Sequence, residues 1–273
     1  MWWAGRRLAV GAGDGEEARV RDHAERFDVS GKVAIVTGAS SGFGEHFARV
    51  LAANGATVIA VARRAERLAA LADEVDNVTA AACDVSDDAA CEDLVASVVA
   101  QHGTVDILVN NAGLSDSQPA IDESMDDFRY TMDVNLNACF LLSKLVAHPM
   151  REQNWGSIIN IASVHGFVGS APNNQAAYSA SKAGLVNLTR ELALQWTRFG
   201  IRVNGIAPGY FETELTEGMI ADESGSAWIN RNTPMRRPGQ LAELEGPLLL
   251  LASDAGSYIT GQTLVVDAGW TAR

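Results

Sequence analysis

The chain has 273 residues, 47% of them hydrophobic, and its 21 lysines and arginines against 34 aspartates and glutamates give a formal net charge of −13. This length fits one α/β domain, and the acidic balance makes nucleic acids and anionic membranes poor partners, because both would repel it. The three cysteines, Cys83, Cys91 and Cys139, form no disulfide or zinc pattern, so we expect a cytoplasmic protein that binds no metal.

Residues 1–27 are predicted to form a polar N-terminal extension. They hold no sustained apolar run, and their acidic residues are not typical of an organellar transit peptide. No window of the sequence approaches the roughly 20 apolar residues that span a bilayer. Residues 28–273 are predicted to form a single domain.

From Lys32 onward, short β-branched runs alternate with amphipathic segments. The predicted strands are KVAIVTG, TVIAVA, VTAAACDV, DILVNNAG, SIINIAS, IRVNGIAPG and TLVVDAG. The predicted helices are GEHFARVLAANG, AERLAALADEV, AACEDLVASVVAQHG and the segments 126–150 and 176–199. This alternation predicts the α/β fold class, with a doubly wound parallel sheet and helices on both faces.

The segment 210–240 has no clear period. A stretch that long inside a compact domain is usually a lid or a binding loop, so we expect substrate contacts there.

The first strand leads into TGASSGFG, which contains Gly38, Gly42 and Gly44. Glycines allow a tight turn and let backbone N–H groups and a helix N-terminus approach a pyrophosphate. A purely structural turn would share this spacing. Its place at the first strand-to-helix junction favours nucleotide binding, because ligands bind at the carboxyl ends of such strands.

The residues after the second strand indicate which nucleotide is bound. A carboxylate there would bind the ribose hydroxyls of NAD, whereas this chain has Ala62 followed by Arg63 and Arg64. Arginine suits a ribose 2′-phosphate. The alternative is that both arginines only solvate a helix start, but cations are disfavoured at that positive end unless an anion is near. The sequence therefore favours NADP.

Tyr178 and Lys182 are four residues apart in a predicted helix, so their side chains share one face. A free tyrosine titrates near ~10, and an adjacent ammonium is expected to lower that pKa and produce an acid/base catalyst. An exposed surface pair is the other interpretation. Ser163, at the end of an apolar strand, favours catalysis because its hydroxyl could bind a substrate carbonyl beside the phenol.

These motifs together resemble the short-chain dehydrogenase/reductase family, and more narrowly its NADP-preferring ketoreductases. The resemblance covers about residues 28–273 and rests on TGASSGFG at 37–44, NNAG at 110–113, Asn135 in DVNLNACF, Ser163 in NIAS, Tyr178 and Lys182 in YSASK, and PG at 208–209 followed by Thr213. It implies a Rossmann-type sheet and an oxidoreductase that transfers a hydride between NADP(H) and a carbonyl or secondary alcohol.

The resemblance implies a catalytic tetrad of Asn135, Ser163, Tyr178 and Lys182. Tyr178 would be the general acid in reduction and the base in oxidation, and Ser163 would orient the carbonyl. Lys182 would lower the phenol pKa and hold the nicotinamide ribose, and Asn135 would support a proton-relay water near Lys182.

Cofactor contacts follow from the same resemblance. The predicted set combines residues of the glycine-rich turn, the two arginines, residues on the adenine side of the cleft, the tetrad members Tyr178 and Lys182, and residues on the nicotinamide side of the cleft. Its members are Gly38, Ser40, Ser41, Gly42, Phe43, Gly44, Arg63, Arg64, Asp84, Val85, Asn111, Ala112, Gly113, Tyr178, Lys182, Pro208, Gly209, Phe211 and Thr213. Two departures from the family pattern are noted: Phe43 replaces a commoner aliphatic residue and is expected to crowd the nicotinamide or the pocket floor, and fifteen positions separate Ser163 from Tyr178.

Substrate contacts are predicted at His165, Phe167 and Trp228, with Phe211 and Met219 as further candidates for an apolar, aromatic pocket. Arg231, Arg236 and Arg237 could receive a carboxylate or a CoA or carrier phosphate, although surface solvation is the better explanation for all three.

Two other functions remain open from the sequence. One is an NAD-dependent alcohol dehydrogenase of the same fold, and the other is a non-catalytic nucleotide sensor, against which the intact tetrad argues. Apolar helix faces in the C-terminal half, together with the family resemblance, lead us to expect a homo-oligomer, most simply a tetramer, that acts on a small molecule.

Overall fold

The central sheet is parallel throughout. The computed structural model describes residues 23–115, 117–171, 173–214, 216, 218 and 222–272. Within these residues lie seven strands: β1 Val33–Thr37, β2 Thr57–Ala62, β3 Val78–Ala82, β4 Ile107–Asn110, β5 Gly156–Ile161, β6 Ile201–Pro208 and β7 Thr263–Val266. Their order is β3-β2-β1-β4-β5-β6-β7. The predicted fold class is confirmed.

Helices follow the strands in alternation. Those in the described residues are α1 His23–Arg26, α2 Gly42–Ala53, α3 Ala65–Glu74, α4 Asp88–His102, α5 Met125–Met132, α6 Ala138–Glu152, α7 Ala176–Trp196, α8 Glu223–Asn232 and α9 Glu245–Ala252. A π-helical turn, Asp133–Asn137, joins α5 to α6. Such turns are rare and often mark functional positions, and this one contains Asn135.

Strand β1 shows why the sheet is covered on both faces. All five of its residues are buried, and successive side chains point to opposite faces. Ala34 and Val36 join the core cluster formed with α2, α3 and α9, whereas Val33 and Ile35 join the cluster formed with α4, α6 and α7. A strand buried in this way has no polar face, which explains its continuous apolar sequence.

Local capping residues determine where α4 begins and ends. The Asp87 side chain accepts a hydrogen bond from the backbone N–H of Ala90, and Gly103 ends the helix in the left-handed conformation at φ 80°.

Strand β1 lies between β2 and β4, so the chain leaves it in one direction and later returns on its other side. In doubly wound sheets this reversal opens a crevice at the carboxyl ends of the strands, where ligands bind. The glycine-rich turn after β1 and the NNAG segment after β4 both lie at this end of the sheet.

The segment 210–240 differs from the prediction, because it contains α8. Asp222 caps this helix by accepting from the N–H of Gly225, and Ile229 is its one buried residue among those described. A helix that buries a single side chain has no apolar period, so its sequence gives no helical signal. Residues 1–22 of the predicted extension, and Met219, lie outside the described residues.

Candidate active site

The glycine-rich turn holds its shape through contacts between β1 and the segment after β4. The Thr37 hydroxyl accepts hydrogen bonds from the N–H groups of Asn111, at 3.0 Å, and Ala112, at 2.9 Å. Asn111 also donates through Nδ2 to the Thr37 carbonyl at 2.9 Å. The predicted cofactor residue Asn111 therefore ties the two strand ends together.

The same turn leaves no room for side chains. Gly38 has a φ of +68°, and a Cβ on it would lie 2.7 Å from Asn111 Nδ2. A Cβ on Gly44 would collide with the Gly38 carbonyl oxygen. The backbone therefore forms a bare cradle at the N-terminus of α2, which is the surface that a pyrophosphate requires. The residues present fit a dinucleotide.

A pocket of about 300 Å³ opens beside this turn, and we call it the arginine pocket. It brings together most of the residues predicted for the adenosine half of the cofactor. Its lining includes Gly38, Ser40, Ser41, Arg63, Arg64, Asp84, Val85, Ala112 and Gly113. Tyr130, which the sequence did not single out, also lines it and accepts a hydrogen bond from Arg63 Nη1 at 2.9 Å.

Arg64 is held at the mouth of the arginine pocket. Its Nε donates to Ser40 Oγ at 3.0 Å, and its Nη2 donates to Ser41 Oγ at 2.6 Å. Its Nη1 lies 3.3 Å from a carboxylate oxygen of Glu214, which Arg67 approaches to 3.1 Å. The hydroxyl of Ser41 and the guanidinium of Arg67 lower the pKa of Glu214. The site already binds one anionic group, which is the behaviour expected of a phosphate site.

A second pocket, of about 320 Å³, lies on the other side of the sheet edge, and we call it the tyrosine pocket. Ser163, His165 and Tyr178 line it, as do residues predicted for the nicotinamide side: Phe43, Pro208, Gly209, Phe211 and Thr213. Phe43 packs edge-on against Phe211 with 5.5 Å between ring centroids. It therefore forms part of the pocket wall, as its unusual position in the sequence suggested.

Tyr178 and Lys182 lie on α7, and Ser163 follows β5. Ser163 Oγ accepts a hydrogen bond from the N–H of His165, so its own O–H remains available to donate. Lys182 Nζ donates to the Ile161 carbonyl at 2.8 Å and lies 5.6 Å from the centroid of the Tyr178 ring. Phenol, hydroxyl and amine therefore converge, as the sequence predicted.

The pKa of Tyr178 differs from the sequence-based expectation. Burial raises its pKa, while a hydrogen bond with Ser163 works in the opposite direction. Burial also lowers the pKa of Lys182. The expected lowering of the phenol pKa by a charged amine is wrong for this structure, because desolvation disfavours both charged forms.

Asn135 is buried, and its side chain amide spans a neighbouring segment. Oδ1 accepts from the Leu114 N–H at 2.9 Å, and Nδ2 donates to the Leu114 carbonyl at 2.9 Å and to Ser181 Oγ at 3.1 Å. The amide therefore fastens the segment after β4 to α7. A Cβ placed on Gly113 would lie 3.2 Å from Asn135 Oδ1 and 3.5 Å from Lys182 Nζ, so the tetrad members pack against the cofactor segment.

The predicted substrate residues occupy three different places. His165 lines the tyrosine pocket. Trp228 packs behind it, with 5.5 Å between its ring centroid and that of Tyr210, a pocket residue that the sequence missed. Phe167 is 42% exposed and does not belong to the described lining. Trp270 stacks on Tyr210 at 5.0 Å and supports the aromatic wall.

Polar residues that no motif indicated also line the tyrosine pocket. They are Ser115, Ser117, Asn173, Gln175 and Thr216. All lie in loops or at a helix edge and have no shared spacing, so a sequence pattern could not select them. Tyr210 has its pKa raised to about 12, chiefly by burial, so it remains a neutral phenol in this wall.

The described residues contain neither a membrane-spanning helix nor a cluster of metal ligands. None of the helices there has both the length and the apolar character to cross a membrane. No three His, Cys, Asp or Glu side chains in the described ranges gather as metal ligands would.

The sheet, the bare glycine cradle and the two pockets define a nucleotide-dependent oxidoreductase. A family model described as enoyl-(acyl carrier protein) reductase matches residues 38–271. Gluconate 5-dehydrogenase of Gluconobacter oxydans (strain 621H) is 41% identical over 253 residues, which cover 91% of this chain and 98% of that protein. A 3-oxoacyl-(acyl-carrier-protein) reductase of Salmonella typhimurium is 39% identical over 240 residues, 88% of this chain and 97% of that protein.

A solved structure agrees with these relatives. A gluconate 5-dehydrogenase from Burkholderia cenocepacia J2315, in complex with NADP and tartrate, is 38% identical, has a TM-score of 0.87, and matches 92% of this chain and 99% of its own. The chain belongs to the short-chain dehydrogenase/reductase family. The predicted resemblance is confirmed, and so is the predicted reaction class, hydride transfer on a carbonyl or alcohol substrate.

Proposed function

We propose that this protein is an NADP(H)-dependent reductase or dehydrogenase in which Tyr178 is the general acid and base. The observation that carries the proposal is the lining of the tyrosine pocket. Ser163 and Tyr178 share that pocket with Pro208, Gly209 and Thr213, the residues predicted to meet the nicotinamide. Hydride donor and proton donor would therefore act on one carbonyl group held between them.

The bound cofactor would supply the hydride, and the protein would supply the binding and the proton. The glycine cradle at Gly38 and Gly44 suits the pyrophosphate. Arg64, backed by the hydroxyls of Ser40 and Ser41, suits a ribose 2′-phosphate, since guanidinium and hydroxyl groups both donate to phosphate oxygens. We therefore favour NADP(H) over NAD(H), in agreement with the NADP present in the solved relative.

The proton chemistry follows from the pKa of the phenol. Because burial raises the pKa of Tyr178, the phenol stays protonated at neutral pH. It can therefore donate a proton to the carbonyl oxygen as that oxygen gains negative charge in reduction. Ser163 would donate a second hydrogen bond to the same oxygen and stabilise the developing charge. In oxidation the phenolate would take the proton from the alcohol.

Lys182 and Asn135 contribute by holding other groups of the site in position. Lys182 Nζ is anchored on the Ile161 carbonyl, which leaves further donors for a ribose hydroxyl. Asn135 holds Leu114 and Ser181 in place. We propose that Asn135 maintains the geometry around Lys182. A relay water at this position would use the remaining acceptor capacity of Asn135 Oδ1.

Tyr178→Phe tests this function. We expect NADPH-dependent reduction of a ketone panel to fall by at least about 100-fold in kcat/KM, the lower range for loss of a general acid. NADPH binding, measured by fluorescence titration, should remain within about twofold. Tyr258→Phe is the matched control, because Tyr258 is fully exposed. Unchanged turnover in Tyr178→Phe would contradict the proposed role.

We also propose that the protein is a cytoplasmic homo-oligomer, most simply a tetramer. Its three cysteines are free and buried, which suits a reducing compartment. Phe140 on α6 and Leu194 on α7 are 45% and 78% exposed, and apolar side chains at such positions favour contacts between copies. A monomeric mass by light scattering at micromolar concentration would contradict the oligomer.

A further inference from the structure

The tyrosine pocket combines apolar and polar side chains. Among its described lining residues there is no Lys, Arg, Asp or Glu. Its hydrogen-bonding side chains beyond Ser163 and Tyr178 are neutral, namely hydroxyls and amides such as those of Ser115, Asn173 and Gln175. Gln175 Nε2 donates to Ser115 Oγ at 2.7 Å, and its amide lies beside His165.

His165 is the one lining residue that could become cationic, and its surroundings oppose this. It is 8% exposed, and its polar neighbour is the side chain of Gln175. Burial lowers its pKa, and the nearby Gln175 amide opposes this only in part. The rings of Tyr178, Tyr210 and Trp270 meet it edge-on, with centroids 6.1, 6.3 and 5.7 Å away. A neutral imidazole offers one donor and one acceptor but no charge.

Two of the three arginines that the sequence offered as carboxylate receptors have partners elsewhere, and the third, Arg236, does not belong to the described lining of the tyrosine pocket. Arg237 Nη2 lies 2.6 Å from Glu243 in an ion pair, and Arg231 Nε donates to the Ala227 carbonyl at 3.3 Å. Arg63 and Arg64 line the arginine pocket. None of these four belongs to the described lining of the tyrosine pocket.

The tyrosine pocket would therefore bind an anionic substrate weakly. A carboxylate moved into this pocket would lose water and find hydrogen bonds but no counter-charge, which is costly. The net charge of −13 adds long-range repulsion. An uncharged polar group would meet neutral donors and acceptors and the aromatic ring of Tyr210.

We infer that the substrate of this pocket is a small, uncharged carbonyl compound or secondary alcohol with further neutral hydrogen-bonding groups, and that carboxylate-bearing substrates are discriminated against. This inference rests on the proposed function. A sugar acid such as gluconate, which the names of relatives specify, would place its carboxylate against a described lining that carries no charged side chain.

Isosteric pairs test the inference. The first pair is 5-dehydro-D-gluconate and its amide, and the second is 4-oxopentanoate and 4-oxopentanamide. Within each pair the amide keeps the shape of the carboxylate, loses its charge and exchanges one acceptor oxygen for an N–H donor group. Initial rates of NADPH oxidation by the full-length protein give kcat/KM for each compound. We expect each amide to exceed its carboxylate by at least about tenfold. Equal values, or a preference for the carboxylates, would overturn the inference and leave the proposed reductase standing.

A gain-of-function variant supplies the reciprocal test. Ser117 lies exposed at the rim of the tyrosine pocket, so Ser117→Arg adds the missing cation, and Ser117→Gln is the matched uncharged control. The arginine variant should raise kcat/KM for the carboxylates about tenfold or more, and the glutamine variant should not. Equal effects of both would argue against charge as the cause. If no ketone in a broad panel, cyclohexane-1,2-dione included, is reduced while NADPH still binds, the proposed function itself fails, and the inference fails with it.

Discussion

Arg64 and Glu214 form an ion pair across the mouth of the arginine pocket, with 3.3 Å between guanidinium and carboxylate. The same guanidinium is bonded to Ser40 and Ser41, the donors that we assign to the ribose 2′-phosphate. The carboxylate and a phosphate therefore compete for one set of donors. Glu214 belongs to the segment that follows β6, which also contributes Phe211 and Thr213 to the lining of the tyrosine pocket.

Glu214→Gln should tighten NADP(H) binding. The change removes the competing charge from Arg64 and leaves a side chain of the same shape. Because exposed ion pairs are weak, we expect a two- to fivefold lower Kd for NADPH, roughly, and no change for NADH. Fluorescence titration measures both. Glu74→Gln is the control, because Glu74 forms a similar exposed pair with Arg49 away from the pocket. Weaker NADPH binding in Glu214→Gln would show that the carboxylate assists the site.

Arg64→Ala should remove much of the preference for NADPH. Charge-assisted hydrogen bonds contribute about 1.5–3 kcal/mol, so the Kd for NADPH should rise roughly 10- to 100-fold. The Kd for NADH should change little, because NADH has no 2′-phosphate. Arg49→Ala serves as the matched arginine control. A parallel loss of affinity for both nucleotides would mean that Arg64 maintains the shape of the cleft and does not recognise the 2′-phosphate.

Gly44→Ala should damage the nucleotide cradle. Its Cβ would collide with the Gly38 carbonyl and lie 2.5 Å from Asn111 Nδ2, so the turn must move. Overpacking of this kind costs about 1–3 kcal/mol, and we expect a lower Tm and at least about tenfold weaker NADPH binding. Gly246→Ala is the control, because its new Cβ would meet nothing within 4 Å. Its Tm and its affinity for NADPH should not change. Normal NADPH affinity in Gly44→Ala would contradict the cradle.

The sequence predicted the sheet well because the five inner strands, β1, β2, β4, β5 and β6, are buried on both faces, while the edge strands β3 and β7 keep a β-branched or apolar run. The pairing of Tyr178 with Lys182 was equally accessible, since helix geometry places residues four apart on one face. The Arg64–Glu214 pair could not be predicted, because 150 positions separate its members and no spacing connects them. Tyr210 and Gln175 come from separate segments that only the fold brings together. The raised pKa of Tyr178 depends on burial, which spacing does not report.

The pH profile should differ between the two directions of the reaction. Reduction requires protonated Tyr178, and burial raises its pKa above the ordinary value of ~10. We therefore expect kcat/KM for reduction to stay flat from about pH 6 to about pH 9 and to fall only at higher pH. Oxidation needs the phenolate, so its kcat/KM should rise with pH over the same range. Each profile can be measured from initial rates in constant-ionic-strength buffers.

Ser163→Ala provides the control for that profile. The hydrogen bond from Ser163 is what opposes the rise in the pKa of Tyr178. Its loss should move the alkaline limb of oxidation to higher pH and lower the rate in both directions. The reduction rate of the unmodified protein should not decline with rising pH before about pH 8. Such a decline would mean that the proton donor has a pKa lower than the raised pKa of Tyr178 in this structure.

Deuterium transfer tests the central claim most directly. NADPH labelled with deuterium at the transferable C4 position is incubated with the protein and the best neutral ketone, and the product alcohol is analysed by mass spectrometry. We predict one deuterium at the carbinol carbon, and almost no labelled product with Tyr178→Phe. An alcohol that forms without deuterium at that carbon would contradict direct hydride transfer and the account built on it.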